Sequence, residues 1–268
     1  MCRRFALDLD WDAAARLFDV DDDGIDAAAL PAPSYDFAPR QRIALVAQGR
    51  DGRRHLTGAH WSLIPRHSMT FELPYPTYNA RVESAGSKPT FAESTRHMRA
   101  IIPATGYYEW HGRRPFYFHA PDFHAHDGTD ASGDSPDDGS HDGTLTMAGT
   151  LAIAGTLAMA GLYSWWRDPA GGPWRLTATI VTCPAVDGPS TVHDRMPMLV
   201  PADMTAAWLD PTVDGNTLLE PVCERGTDLS RRLRFHEVAP LPEPGDGGHD
   251  HGRSLIAPIN RPEQPQLF

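Results

Sequence analysis

The segment Arg99-Ala-Ile-Ile-Pro-Ala-Thr-Gly-Tyr-Tyr-Glu-Trp110 joins two short apolar runs through proline and glycine. Short apolar runs bounded by turn-forming residues are typical of buried β-strands. The segment therefore predicts one strand over residues 99–103 and a second strand over residues 107–110.

Runs of the same kind continue along the chain, so the sequence predicts many short strands and few helices. That mixture favours a β-rich α+β fold. The stretch 35–39 is interpreted as an irregular approach to the next strand. Further strands are predicted over 42–47, 55–61, 115–119, 157–164, 176–183, 197–200 and 233–238, and helices over 11–18, 89–98, 202–209 and 215–222.

The length of 268 residues suits one large domain or two small ones. We expect a single domain over residues 2–268 with two irregular segments. Residues 120–155 form an insertion rich in Asp, Gly, Ser and His that includes copies of a hexapeptide repeat, and this composition predicts disorder. Residues 240–253 have the composition of a flexible linker.

Composition limits the class of protein. The three cysteines have no metal-binding spacing, and their odd number argues against a disulfide framework. No run of 18 apolar residues and no signal peptide is present, which predicts a soluble protein of the reducing cytoplasm. We expect no metal and no cofactor. Histidines cluster in the insertion and directly before it, where they are interpreted as part of a solvated segment; they are His119, His124, His126 and His141.

The net charge of −11 argues against nucleic-acid binding when it is taken as an average. Much of the acidic charge, however, lies in two runs within residues 19–26 and 122–142, both of which are predicted to be loops. A local basic groove on an acidic protein therefore remains open, and composition does not decide it.

The N-terminus begins Met1-Cys2. A small second residue normally permits removal of Met1, which would leave Cys2 with a free α-amine beside its thiol. The α-amine titrates near ~7.7–8.0 and the thiol near ~8.5, so both are partly nucleophilic at neutral pH. With an aldehyde, the amine can form an imine and the sulfur can then close a thiazolidine. The alternative is that Cys2 is incidental.

Four other motifs carry groups suited to catalysis or binding. Glu109 lies between aromatic residues, a setting that raises a carboxyl pKa and suits acid–base work, although a solvent-facing Glu is equally compatible. His193 is either a proton shuttle or a loop histidine bonded to backbone. Arg81 and Arg195 can clamp phosphates or can form ordinary ion pairs with nearby carboxylates. Trp61 is either a core residue or a platform for unpaired bases.

Taken in order, these motifs resemble one family, the SOS-response-associated peptidase (SRAP) proteins, which crosslink to abasic sites in single-stranded DNA. The resemblance covers nearly the whole chain. It is carried by the Met-Cys start and by Tyr35-Asp-Phe-Ala-Pro39, Trp61-Ser-Leu-Ile-Pro65, Asn79-Ala-Arg-Val-Glu83, Ile102–Trp110, Ala160-Gly-Leu-Tyr163, His193-Asp-Arg-Met-Pro197 and Ile259-Asn-Arg261.

The resemblance implies one SRAP-type domain, with mixed and antiparallel strands in a barrel-like sheet and a few peripheral helices. It implies removal of Met1 by the protein itself and a thiazolidine crosslink to the ring-opened deoxyribose, with lyase-like Schiff-base chemistry. The partner implied is single-stranded DNA with abasic sites, bound by a monomer in the bacterial cytoplasm, at the nucleoid. The implied catalytic residues are Cys2, Asn79, Glu109 and His193, and the implied DNA contacts are Arg4, Pro39, Trp61, Arg81 and Arg195.

The chain departs from the family pattern at three positions. Arg3 and Ser62 stand where glycine is usual, and Asp36 stands where asparagine is usual. Two alternative functions stay open. One is a thiol peptidase that uses Cys2, His193 and Asn79 on protein substrates; the other is a homologue that binds single-stranded DNA without crosslinking.

Overall fold

The computed structural model describes residues 2–121, 155–242 and 252–259, so most of the insertion predicted at 120–155 and of the linker predicted at 240–253 lies outside the described residues. The strands are β1 Arg4–Leu7, β2 Ser34–Phe37, β3 Arg42–Gln48, β4 Arg54–Trp61, β5 Asn79–Arg81, β6 Arg99–Ala104, β7 Gly106–His111, β8 Arg114–His119, β9 Leu157–Trp166, β10 Arg175–Pro184, β11 Arg195–Pro197 and β12 Arg234–Glu237. The α-helices are α1 Trp11–Leu17, α2 Val82–Ala85, α3 Ala92–His97, α4 Asp187–Ser190, α5 Thr205–Leu209 and α6 Leu219–Ser230.

Five strands close into a barrel in the order β10-β4-β3-β6-β9, because β9 also pairs with β10. The pairing of β10 with β4 is parallel, and the other four pairings are antiparallel. Closure leaves these strands without a free edge except where their ends diverge. The barrel confirms the β-rich α+β fold with a barrel-like sheet and few helices.

A second, antiparallel sheet has the order β12-β8-β7-β1-β2 and joins the barrel where β6 continues into β7. Gly106 lies at this junction. A Cβ there would lie 2.3 Å from the ring of Tyr117 and 2.5 Å from the Phe118 carbonyl oxygen, so only glycine fits. The junction places the ends of β1 and β7 beside the barrel.

Strand β10 brings two distant segments together along one edge. Trp61, the last residue of β4, pairs with Ala178, and Asn79, the first residue of β5, pairs with Ile180. The chain between them leaves as a loop without regular structure, as its prolines predict, and returns to the same edge. The hydroxyls of Ser62 and Thr77 hydrogen-bond at 2.9 Å across its base.

The core fills the space between the barrel and the second sheet. The ring of Phe5 on β1 lies 5.1 Å from both Phe37 and Trp61, with the Trp61 ring edge-on. All three rings are buried. This cluster fixes β1 against the barrel, and β1 is the strand that follows Cys2.

Most predicted strands are confirmed to within a few residues, and two expectations are corrected. The stretch 35–39 was expected to be irregular, yet its first half belongs to β2, which pairs with β1 as an edge strand across a register shift, a pairing that sequence alternation does not indicate. The helix predicted over 215–222 begins instead at Leu219 and runs to Ser230, since Asp214 caps a separate 3₁₀ turn ahead of it. Strand β11 lies two residues earlier than the predicted strand 197–200.

Candidate functional site

Cys2 lies at the seam between the two sheets and is fully buried. Its Sγ atom is 3.9 Å from the carbonyl oxygen of Arg4, a weak contact for a thiol. Burial raises the pKa of the Cys2 thiol far above its ordinary value, and the neighbouring Glu109 carboxylate raises it further. At neutral pH this sulfur is therefore a protonated thiol that needs a base to become a nucleophile.

Asn79 connects the barrel to the N-terminus. Its Nδ2 donates a hydrogen bond of 2.6 Å to the carbonyl oxygen of Cys2. Its Oδ1 is buried and has no hydrogen-bond partner among the described residues. The amide therefore fixes the Cys2 backbone with one end and keeps a buried acceptor with the other.

Glu109 extends from β7 and is buried, with 3% of its surface exposed. Of the two sequence interpretations, the buried setting is confirmed. Burial raises the pKa of the Glu109 carboxyl from 4.5 to about 7; the positive charge of the chain's terminal amine and, less strongly, that of Arg3 oppose this rise, and Asp194 adds to it. A carboxyl with this pKa exchanges protons readily at neutral pH, which is the property a general acid–base needs.

His193 lies in the loop before β11, beside Asp194. Its Nδ1 accepts a hydrogen bond of 3.0 Å from the backbone N–H of Arg195, so the proton of the neutral ring is on Nε2. Asp194 Oδ1 also lies 2.8 Å from this Nδ1, which would favour a charged ring, but the Asp194 side chain is largely exposed. Burial lowers the pKa of His193, and we infer a neutral ring at pH 7 because water screens Asp194.

Arg4 is buried and forms an ion pair with Asp36, and its Nη2 donates a hydrogen bond of 2.6 Å to the carbonyl oxygen of Pro242. The two charged side chains are 9% and 3% exposed. A phosphate contact by Arg4 would require this pair to exchange partners, and that role stays a prediction. The sequence signal for the pair is Asp36, which stands where the resembling family usually has asparagine.

We expect Asp36→Ala to destabilise the protein by about 3–5 kcal/mol, because it leaves the Arg4 guanidinium buried without its counter-charge. Urea unfolding followed by tryptophan fluorescence measures this loss. Asp36→Asn is the matched control, since it keeps an oxygen acceptor at the same place, and it should lose markedly less. A loss below about 1 kcal/mol for Asp36→Ala would mean that the ion pair contributes little.

The two remaining arginines differ in their surroundings. Arg195 makes a two-pronged ion pair with Glu83 at 2.6 and 3.0 Å, and its Nη2 also donates to the Thr182 carbonyl oxygen at 2.7 Å. Hydrogen bonds from Arg195 lower the pKa of Glu83. Arg81 is exposed and forms no ion pair with the described carboxylates. The charge of Arg81 is therefore exposed to solvent, whereas the charge of Arg195 is balanced by Glu83. Phosphate binding by either arginine stays a prediction.

Trp61 is fully buried, and its indole N–H donates a 2.9 Å hydrogen bond to the Tyr78 carbonyl oxygen. This is the core position that the sequence left open, so a base contact would require the loop above it to move. Pro39 is half-buried and precedes Arg40, whose φ of 73° lies in the left-handed region. This turn exposes the Arg40 side chain to solvent. Arg40 was not among the residues that the sequence predicted for the site, because no local pattern indicates that an arginine adopts a left-handed backbone conformation.

The departure at Arg3 has no backbone consequence. Its φ is not among the positive values, which the described non-glycine residues show only at Asp19, Arg40 and Asp187. The guanidinium of Arg3 lies 5.0 Å from the ring centroid of Trp110. Glycine is therefore not required at this position for the fold of the N-terminus.

The described residues contain no group of three or more His, Cys, Asp or Glu side chains that could hold a metal ion. None of the helices in the described ranges is both long enough and apolar enough to cross a membrane.

Comparisons with known proteins agree with one another. The family model described as SOS response associated peptidase (SRAP) matches residues 1–241. The abasic site processing protein YoqW of Bacillus subtilis is 30% identical over 216 residues, which cover 79% of this chain and 81% of that protein. The abasic site processing protein HMCES of Gallus gallus is 26% identical and is covered over 61% of its length.

Two solved structures share the fold. A protein from Bacteroides thetaiotaomicron has a TM-score of 0.67 at 17% identity, covering 97% of this chain and all of that one. A protein from Bordetella bronchiseptica has a TM-score of 0.62 at 22% identity, covering 89% of this chain and all of that one.

Proposed function

The chain belongs to the SOS response associated peptidase family, and from this we propose that it processes abasic sites in single-stranded DNA by forming a covalent crosslink through Cys2. The observation that carries the proposal is the arrangement around Cys2. The Asn79 amide holds its backbone at 2.6 Å, and a buried carboxyl with a pKa of about 7 lies beside its thiol.

The reaction starts with removal of Met1, which frees the α-amine of Cys2. The amine nitrogen attacks the C1′ aldehyde of the ring-opened deoxyribose, and water leaves to give an imine. The thiol sulfur then bonds to the imine carbon, and its proton passes to the nitrogen, which closes the thiazolidine. Removal of Met1 hydrolyses the Met1–Cys2 peptide bond, which consumes one water and releases methionine. Crosslinking then releases one water, and no oxidant is needed.

Each of the four residues has a role that follows from its position. Asn79 orients the amine and thiol by fixing the backbone between them, and its buried Oδ1 can accept a hydrogen bond from the freed α-amine. Glu109 takes protons from the amine and thiol and returns one to the departing water. His193, neutral with its proton on Nε2, supplies a second exchangeable proton from the loop before β11.

A thiol peptidase that acts on other proteins is the weaker candidate. Such enzymes depend on a thiolate whose pKa is lowered by a cationic neighbour. The pKa of the Cys2 thiol is instead raised by burial and by Glu109. This environment favours a mechanism in which the amine reacts first and the thiol loses its proton only as the ring closes.

Intact mass spectrometry tests the proposal directly. The purified protein is measured alone and after incubation with a single-stranded oligonucleotide that carries one abasic site. We expect loss of Met1 and one adduct that survives heating without added reductant. A Met-free protein that forms no adduct would favour the peptidase or the inactive binder, and a retained Met1 would remove the amine from the reaction.

A further inference from the structure

A cluster of exposed arginines and tryptophans lies outside the site described above. We call it the tryptophan surface and define it by Arg40, Arg42, Arg66, Trp165, Trp174 and Arg175. Most of these residues line a cleft of about 570 Å³ beside the turn between β9 and β10. Arg66 lies in a shallow depression next to this cleft, and the two tryptophans line both.

The two tryptophans are exposed although they are among the largest apolar side chains. Trp165 and Trp174 are each 46% exposed, whereas Trp61, Trp166 and Trp208 are buried. Guanidinium groups lie against the outer rings, with Arg66 5.3 Å and Arg167 6.0 Å from the centroid of Trp174. Exposed indole faces flanked by arginines are what unpaired bases and their phosphates require.

The arginines of the tryptophan surface keep their charge available. None of the four forms an ion pair with a described carboxylate, in contrast to Arg4, Arg114, Arg195 and Arg231, which are all paired. Two carboxylates, Asp26 and Glu72, lie in the same region, against the four arginines. The local charge is therefore positive, although the net charge of the protein is −11. Burial lowers the pKa of His60 within the cleft, and Arg40 and Arg175 lower it further, which agrees with a positive local potential.

The tryptophan surface is continuous with the candidate site. Arg40, His60 and Phe71 line both the 570 Å³ cleft and a neighbouring cleft of about 380 Å³ that reaches Pro39 and Tyr78, the residue before Asn79. Along β10, Arg175 is five residues from Ile180, which pairs with Asn79. Five residues of strand span ~17 Å.

We propose that the tryptophan surface is a second binding platform for single-stranded DNA, which holds the arm of the strand that leads away from the lesion. Bases stack on Trp165 and Trp174, and phosphates contact the flanking arginines. The inference rests on the proposed function for the identity of the strand, but it concerns undamaged nucleotides at a distance from Cys2.

The test measures binding to an undamaged single-stranded oligonucleotide by fluorescence anisotropy, so it does not depend on crosslinking. We expect the double variant Trp165→Ala and Trp174→Ala to raise Kd about tenfold, because base–aromatic stacking is lost. The double variant Trp165→Phe and Trp174→Phe keeps aromatic faces and should bind within about threefold of the wild type. Arg225→Ala, on the exposed face of α6, removes one positive charge far along the chain from this surface, and as the charge control it should leave Kd unchanged.

Salt dependence separates phosphate contacts from stacking. Replacing Arg66 and Arg175 by alanine should lower the slope of log K against log salt concentration by about 0.7 for each phosphate contact that is lost. Shortening one arm of the oligonucleotide, on the side that reaches the tryptophan surface, should weaken wild-type binding and leave the alanine variant unaffected.

The outcomes distinguish this inference from the proposed function. If the tryptophan-to-alanine variant loses affinity for undamaged DNA while the wild type forms no adduct, the tryptophan surface stands and the crosslinking proposal fails. If the variant binds as tightly as the wild type, or the wild type binds no single-stranded DNA, the inference is overturned, and a protein partner becomes the better occupant. Circular dichroism of each variant shows whether the fold is retained.

Discussion

Replacing Cys2 by alanine is expected to lower the yield of heat-stable adduct at least about a hundredfold, because the intramolecular thiol that closes the ring is lost and an external thiol cannot match its effective concentration. Alanine is small enough for Met1 to be removed, so the α-amine is retained. The same variant should therefore still form an imine that borohydride traps. Gel analysis with and without borohydride measures both products.

The controls for this experiment come from the composition of the chain. Lys88 is the single lysine in the sequence, so the α-amine and Lys88 are the two primary amines that can form an imine. The Lys88→Arg variant should give as much borohydride-trapped imine as the wild type. The Cys223→Ala variant should give as much heat-stable adduct as the wild type. A Cys2→Ala variant that keeps the heat-stable adduct would refute the thiazolidine mechanism.

Replacing Glu109 by glutamine is expected to slow crosslinking by about 10²–10⁴-fold, the usual contribution of a positioned acid–base group. Glutamine has nearly the shape of glutamate and hydrogen-bonds in its place, but it does not exchange protons at neutral pH. Single-turnover crosslinking rates measure the effect. For the wild type the titration of this carboxyl should change the rate around pH 7, in addition to the titration of the α-amine near ~7.7–8.0, and for the variant only the dependence due to the amine should remain.

The same substitution should stabilise the protein at alkaline pH. The pKa of Glu109 is about 7 in the folded chain and 4.5 when it is unperturbed, so between these values the unfolded chain releases a proton that the folded chain retains. The free energy of unfolding of the wild type therefore falls as pH rises through this window. At 1.36 kcal/mol per pH unit of separation, Glu109→Gln should be more stable than the wild type by about 3 kcal/mol at pH 8.

A matched control with the opposite sign is available at Glu83. Its pKa is lowered by Arg195, so its stabilising contribution is present above the unfolded pKa and is lost as pH falls. Glu83→Gln should therefore be less stable than the wild type at pH 8, whereas Glu109→Gln should be more stable. Urea denaturation at pH 4.5 and pH 8 compares both. A stability difference for Glu109→Gln that does not change with pH would mean that the carboxyl is not shifted.

Much of the fold could be predicted from the sequence because its signal is local. Apolar alternation and turn residues located β3, β4, β6 to β10 and β12, and the predicted strand at 157–164 is confirmed as β9, which begins in the last copy of the hexapeptide repeat. The strand β2 was missed because an edge strand of four residues depends on its partner β1, and that pairing joins residues 32 apart.

The site was located less completely because ordered motifs identify residues but not their burial. The aromatic neighbours of Glu109 indicated that its pKa could be raised, but they left a solvent-facing carboxylate equally open, and only the fold decides between the two. The motif around Trp61 did not indicate that its ring is sealed in the core, and nothing near Arg4 predicted its hydrogen bond to Pro242, 238 residues away. Likewise, Trp165 and Trp174 are unremarkable in the sequence, and their significance comes from the arginines that the fold assembles around them.

The pairing of both β4 and β5 with the same edge of β10 has a consequence for how this protein can diversify. The ends of the intervening loop are fixed by Trp61 and Asn79, whose partners on β10 are two residues apart, and Ser62 and Thr77 close its base. The entropy of closing a loop grows slowly with length, so doubling it costs only about 0.6 kcal/mol. Leu63 and Ile64 are buried at the start of the loop, and Phe71 lines both clefts, so the freedom to vary lies after Phe71. Insertions and deletions between residues 72 and 76 can therefore accumulate and be selected without displacing Asn79, which makes this part of the loop the natural region to recombine between homologues or to randomise in a library.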